Sequence, residues 1–417
     1  MELVHEALTR SGLLFATDVF HNTLTETQVI DGLLTASARI TAPRHALITP
    51  AAQTAIVTTV LTLVMSGIAV ELDIPDVALA APQPPLRGTH LASALNDYIA
   101  ANYPWTTGTR GPADIVLTIG GTDIADTIAI SGDDNLLRVG AADATLPPTW
   151  DPNWPVVPVG AGIAATTIAL RRVLTRIGHD HGLDHPKVLP VTEQIVLPFD
   201  VPRSDRVDLG SVTAVSGGAI IHGAAFVLLR IPTLNMTMPV FDMGALDRTN
   251  SNRYLLYRAE FHDHNKAEIL AAYSTGAVRF EAIPRNYRRG DGAGAERIIV
   301  GADNIPVRWA AQDDAPRWLG IGATSHLVSV VSAHVPGAAC AGCVHPEATD
   351  APAIIPTAAP ISAWAGLHLA NELIRSATNA APVVLQSFPL GLAGPTSHTT
   401  DVVHTSRRCA RGCETAA

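Results

Sequence analysis

Apolar positions along the chain fall into a few long runs broken by glycine, proline and polar clusters. The stretch from Ala46 to Val70 carries no charge for 25 residues, long enough by length to cross a bilayer. Thr54, Thr58, Thr59 and Thr62 inside it, and the break at Ser66-Gly67 before Ile68-Ala69-Val70-Glu71-Leu72-Asp73, predict a buried helix, a turn and a strand instead. Further on, Asp114-Ile115-Val116-Leu117-Thr118-Ile119-Gly120 has strand length, and Pro158 opens a small-residue-rich helix running to Leu174. The same succession returns as Arg297-Ile298-Ile299-Val300-Gly301-Ala302-Asp303 and as a helix from Pro360 to Arg375. This recurrence predicts a duplicated α/β unit, although strand-then-helix patterns are common in α/β proteins generally. Between the copies, Gly178 to Pro186 reads as a linker, dividing the chain into an α/β domain over residues 1–185 and a second over residues 190–417.

Composition narrows the function classes. With 47% hydrophobic and 16% charged residues, 32 glycines and 30 prolines, this is a folding α/β chain rather than a disordered one. A formal charge of −10 and a pI near 5.8 argue against nucleic acid as partner, since phosphate tracking needs clustered Lys and Arg. The acidic start Met1-Glu2-Leu3-Val4-His5-Glu6 has no secretory character, so a cytoplasmic protein without a membrane span is expected. His179, His181 and His185 in the linker match no metal-ligand spacing.

The chemistry concentrates in the second half. Val212-Thr213-Ala214-Val215 reads as a strand feeding Ser216-Gly217-Gly218-Ala219-Ile220-Ile221-His222-Gly223 and then an apolar helix from Ala224 to Arg230. Such a turn offers backbone N–H groups and a helix dipole to phosphate, with Gly217 and Gly218 as the close-approach positions. The next strand ends Pro239-Val240-Phe241-Asp242, placing Asp242 where a ribose hydroxyl lies in dinucleotide sites. Arg253 and Lys266 follow as two cations for a triphosphate. Only Lys187 and Lys266 among the 28 basic residues are lysines, so a compact ammonium at 266 is an exception in this chain.

The order of Gly-rich turn, Val240-Phe241-Asp242, Thr249-Asn250-Ser251-Asn252-Arg253, Lys266-Ala267-Glu268 and Ala302-Asp303-Asn304, with Arg308 five residues after Asp303, resembles the adenylation domain shared by ThiF, MoeB and ubiquitin-activating enzymes. The resemblance implies a Rossmann-like domain over residues 190–417, preceded by an accessory domain or degenerate adenylation-like repeat. It implies ATP contacts from Asn250, Arg253 and Lys266, ribose binding by Asp242 and Mg2+ handling by Asp303. It also implies an arginine supplied by a neighbouring unit, through a homodimer or an internal pseudo-dimer, for which Arg10, Arg39 and Arg44 are open choices. Ser216 and Ile221 stand where the family usually has glycine, and Gly244 where a second acidic residue often follows Asp242.

All four cysteines fall in two close pairs, Cys340/Cys343 and Cys409/Cys413, a spacing suited to a zinc site of four thiolates. With all four on zinc, no thiol is left for a thioester. The expected activity is adenylylation of the C-terminal carboxylate of a ubiquitin-like protein or peptide, with release of pyrophosphate. An NAD-dependent oxidoreductase and a pseudoenzyme scaffold are the alternatives, the first because a Gly-rich turn and an acidic strand end also suit a dinucleotide.

Overall fold

A computed structural model describes residues 2–107, 112–121, 126–141, 147–183, 194–199, 206–346, 355–378, 385–389, 399–401 and 409. The first half comprises α1 (Glu2–Asp18), α2 (Glu26–Leu34), β1 (Ser37–Thr41), α3 (Pro50–Met65), β2 (Ala69–Asp73), α4 (Leu91–Asn102), β3 (Ile115–Thr118), β4 (Ile128–Gly132), β5 (Leu136–Ala141), α5 (Val156–Asp180) and β6 (Gln194–Pro198). The second comprises β7 (Val207–Val215), α6 (Ala219–Leu228), β8 (Leu234–Phe241), α7 (Lys266–Ala271), β9 (Val278–Ile283), β10 (Arg297–Val300), α8 (Ile305–Asp313), β11 (Trp318–Ser325), β12 (Val328–His334), α9 (Ala341–Val344), α10 (Ala359–Arg375), β13 (Leu385–Pro389) and β14 (Thr399–Asp401).

Two mixed sheets result, in strand orders β2-β1-β3-β4-β5-β6 and β9-β8-β7-β10-β11-β12-β13-β14. Within the first, β2 through β4 are parallel and β4 through β6 antiparallel. The run β8-β7-β10-β11-β12-β13 repeats that order and every strand direction. Helices recur at matching places: α3 and α6 follow the first strand of each unit, and α5 and α10 precede the last. The parallel strands with their crossover helices give each half a Rossmann-like character. Strand β6 lies beyond residue 190, yet it pairs with β5 in the first sheet.

The four matching helices form the interior. The uncharged stretch 46–70 folds as α3, a turn and β2, with its buried hydroxyls paired: Thr58 donates to Thr54 O at 2.7 Å, Thr62 to Thr58 O at 2.7 Å, and Thr54 Oγ1 meets the Gln83 side chain at 3.1 Å. Buried hydroxyls need such partners. Helix α5, apolar and 25 residues long, meets the length test for a membrane span, but 94% of its apolar window is buried inside the fold, as in a core helix. Each half packs its helices through glycine. A Cβ on Gly162 of α5 would meet Ala55 O of α3 at 2.8 Å, and one on Gly366 of α10 would meet Gly223 Cα of α6 at 2.6 Å. One apolar core runs through both halves.

The halves diverge where the β1–α3 and β7–α6 connections lie. The second half uses residues 216–218, whereas the first uses residues 42–49, including a 3-10 turn at Arg44–Leu47. This longer connection packs onto Gly120 at the end of β3, where an added Cβ would meet Ala46 Cβ at 2.7 Å. In the first half, the ground at the end of β3 is thus occupied by the side chains of Ala46 and Pro43.

Candidate active site

The Gly-rich turn begins at the carboxyl end of β7. Strand β7 starts at Val207, earlier than the pattern indicates, and α6 starts at Ala219 rather than Ala224. Helix propensity is satisfied from the first residue after the glycines, so the turn is three residues long. Ser216, at a position where the resemblance leads one to expect glycine, adopts φ +84°. Its hydroxyl accepts from Gly218 N at 3.0 Å, and Asp242 accepts from Gly217 N and Gly244 N, each at 2.6 Å. The two glycine amides therefore tie the turn to itself and to Asp242, unlike the expectation that they face phosphate. What remains for an anion is the start of α6, whose first N–H groups have no intrahelical partner and whose cap residue Gly218 contributes no side chain.

Glycine at 217 serves close approach. An added Cβ would lie 3.1 Å from Lys266 Cβ and 3.2 Å from Lys266 C, so the turn and the start of α7 touch backbone to backbone. Ile221, the second departure from the family pattern, is accommodated across the interface. Gly301 at the end of β10 leaves the space, where a Cβ would meet Ile221 Cγ1 at 2.9 Å.

Beyond β8 the chain turns through Asp247–Asn250, where Asp247 Oδ1 accepts from Asn250 Nδ2 at 3.1 Å. Asn250 is 1% and Arg253 7% exposed. Arg253 donates to Thr249 O and to Asn252 Oδ1. Burial lowers the Arg253 pKa to about 10, with Arg10 adding to the effect, so the guanidinium stays charged at neutral pH. Lys266 is the first residue of α7, with Asn265 as its cap. Asp303 is exposed at the end of β10, and Asn304 caps α8 by accepting from Val307 N at 3.1 Å.

These residues surround one cavity of about 700 Å³. Gly218, Asp242, Asn250, Arg253, Lys266 and Asp303 line it, while Gly217 lies behind the wall. Arg10, Arg288 and Arg308 bring the lining cations to five, against the carboxylates Asp242, Asp247 and Asp303. The surplus of positive charge, on a protein of net charge −10, suits an anionic ligand. Among the three arginines left open by the sequence, Arg10 of α1 reaches the cavity, whereas Arg39 pairs with Glu71 at 3.2 Å and Arg44 is exposed in the first half's 3-10 turn. Arg308, which sequence reasoning noted only by its spacing, donates to Ala302 O at 2.9 Å and faces the His345 ring. Nothing local in the sequence marks Arg10 or Arg288, because tertiary folding brings them there.

Three of the four cysteines converge next to this region. The sulfurs of Cys340, Cys343 and Cys409 lie within 4.8 Å of one another, with Cys340 3.9 Å from Cys343 and 3.4 Å from Cys409. Four thiolates at about 2.3 Å from tetrahedral zinc stand roughly 3.8 Å apart, so the three sulfurs fit that group. Cys413 lies outside the described residues, as does Lys187. The segment leading into α9 is held by two bonds: Ala341 N donates to Gln312 Oε1 at 3.1 Å, and His334 Nδ1 sits 2.8 Å from Ala339 O.

No protein-family model matches the chain. A protein of Sinorhizobium fredii described as uncharacterized protein y4jF is 33% identical over 156 residues, covering 36% of this chain and 29% of its own length. Solved structures similar to the chain include E. coli MccB with AMPCPP and MccA, at 15% identity, TM-score 0.40, and coverage of 48% of this chain and 66% of that one. The microcin C7 biosynthetic enzyme MccB with N-formylated MccA has 16% identity, TM-score 0.39 and the same coverage. PaaA has 13% identity, TM-score 0.37 and coverage of 58% and 73%. The chain thus spans under a third of the length of the curated relative and about two thirds of MccB. Any functional reading rests on the residues of the site itself.

Proposed function

We propose that the chain is an ATP-dependent adenylyltransferase of the ThiF/MoeB type, acting on the C-terminal carboxylate of a small ubiquitin-like protein or peptide. The observation that carries this reading is the convergence of Asp242, Asn250, Arg253, Lys266 and Asp303, distant in sequence, on one cavity at the start of α6. A carboxylate oxygen attacks the α-phosphorus of ATP, the bond to the bridging oxygen breaks, and pyrophosphate leaves with the electron pair. Arg253 and Lys266 neutralise the charge that develops on pyrophosphate, and the α6 dipole adds to them. Arg253 is fixed before reaction by burial and by its bonds to Thr249 O and Asn252 Oδ1. Asp303, with phosphate oxygens, would hold Mg2+, which supplies further charge neutralisation. Asp242, already accepting two amides, keeps lone pairs for a ribose hydroxyl.

Zinc on the two cysteine pairs is structural in this reading, and the four cysteines leave the acyl-adenylate as the last covalent species on the chain. The two halves act as an internal pseudo-dimer in which the first supplies Arg10 to the site. An NAD-dependent oxidoreductase is less well supported, because five lining cations exceed what a pyrophosphate diester needs. The test is ATP–pyrophosphate exchange with a library of peptides carrying either free or amidated C-termini. Exchange supported by free carboxylates and abolished by amidation is expected. ATP binding without exchange for any peptide or ubiquitin-like protein tested would favour the scaffold instead.

A further inference from the structure

Residues 242–265 connect β8 to α7 with only two 3-10 turns, Arg248–Asn250 and Ala259–Phe261. The loop pairs part of its backbone internally, as Asn250 N to Asp247 O, Ser251 N to Arg248 O and Arg253 N to Asn250 O, and Asn250, Ser251, Asn252, Arg253 and Tyr254 are all 7% exposed or less. The backbone groups left over, Ser251 O, Tyr257 O and Ala259 N among them, must find partners elsewhere. They find them in the first half. Tyr103 donates to Ser251 O at 2.9 Å, Tyr98 donates to Tyr257 O at 2.6 Å, and Asn102 Oδ1 accepts from Ala259 N at 2.7 Å. Asn252 Nδ2 donates to Ser11 Oγ at 2.8 Å, and Arg258 donates to Pro85 O at 2.8 Å.

We infer that α4 and its cap are the frame that sets Arg253 against the phosphates, with Tyr103 as the positioning residue. Ser251 is two residues before Arg253, and its carbonyl anchors the backbone next to Asn252, whose Oδ1 accepts from the guanidinium at 2.8 Å. Tyr103 is 1% exposed and packs edge-on against Trp105, with ring centroids 5.7 Å apart, so the hydroxyl cannot wander. Burial raises the pKa of both phenols well above their ordinary value, which keeps them as donors across the working range. The first half therefore contributes twice, with Arg10 in the cavity wall and with the hydroxyls that hold the loop. This also accounts for a unit whose own ground at the end of β3 is occupied by Ala46 and Pro43: it is kept as the mould of its neighbour's site.

The inference rests on the reading of Arg253 as a phosphate ligand, and the experiment separates the two. Tyr103→Phe deletes one oxygen and keeps the ring. It is expected to slow ATP–pyrophosphate exchange about 10-fold through kcat, a fraction of the 10²-fold or more for losing a whole preorganised donor, with KM for ATP changed less than about twofold. In an Arg253→Ala background the same substitution should have no further effect, because residues acting through one another are not additive. A residue that merely stabilises the fold would give the same loss in both backgrounds, and that additive result overturns the inference. Hydrogen–deuterium exchange of the amides at 250–257 supplies the arm that needs no activity. Faster exchange there in Tyr103→Phe, with α10 unchanged, is expected, and unchanged protection overturns the inference. Should the wild type catalyse no exchange with any substrate, the adenylation reading fails while the amide measurement still decides the positioning.

Discussion

Replacing Gly366 with alanine should damage both the fold and the proposed nucleotide site from a buried position outside the cavity. The added Cβ would lie 2.6 Å from Gly223 Cα and 2.7 Å from Ala224 N, both backbone atoms of α6. Non-bonded carbons rest near 3.5–4.0 Å, so the helices must separate by roughly 1 Å. No side chain can rotate away to spare them. Overpacking of this kind costs about 1–3 kcal/mol, and at a urea dependence of about 3 kcal/mol/M a cost of about 2 kcal/mol lowers the midpoint by roughly 0.7 M. The start of α6 moves with the helix, so ATP affinity should fall as well. Urea unfolding followed by tryptophan fluorescence and far-UV circular dichroism measures the first effect and calorimetry the second. Gly276→Ala is the control: an added Cβ there meets nothing within 4 Å, and the substitution should be neutral or slightly stabilising. A Gly366→Ala protein with an unchanged midpoint, or an equal loss in Gly276→Ala, would refute the close crossing of α6 and α10.

Metal analysis of freshly purified, reduced protein should return about one zinc per chain, and Cys340→Ser should lower soluble yield and thermal stability more than it alters the kinetics of the protein that folds. A metal-free native protein with ordinary stability would contradict the structural zinc. His222 should make the fold acid-sensitive: it is 0% exposed, has no hydrogen-bond partner for either ring nitrogen among the described residues, and its pKa falls from the ordinary 6.5 to about 3, first by burial and then by Lys266. Below the ordinary imidazole value the unfolded state binds a proton that the folded state refuses, so stability is lost as pH falls from about 6.5 toward 3. His222→Leu should flatten that part of the stability profile, and an unaltered slope would remove His222 from its cause.

Much of the fold is legible in the sequence because the long buried elements carry their own signal. The uncharged stretch 46–70 resolves into helix, turn and strand because its threonines and Ser66-Gly67 break an apolar run at the right spacing. The strand and helix pairs taken as signs of duplication fall on β3 and α5 in one half and on β10 and α10 in the other, at equivalent places in two sheets of the same order. The engagement of Gly217 N by Asp242 is not legible, since glycine gives the same sequence signal whether its amide faces a ligand or a neighbouring carboxylate. The relief of Ile221 by Gly301 is likewise a long-range contact that no local motif records. Arg10 belongs to the same class. Its role depends on α1 lying over the loop of Arg253, which only the packing of the two halves determines.

The most direct measurement is ATP binding by isothermal titration in Mg2+, comparing wild type with Lys266→Ala and Arg253→Ala and using NAD as the competing ligand. The cavity as described should bind Mg-ATP in the wild type, lose roughly 10-fold or more in affinity for each missing cation, and show no measurable NAD binding. Tight NAD binding without ATP binding, or ATP affinity indifferent to both substitutions, would contradict the assignment of this cavity to a nucleoside triphosphate.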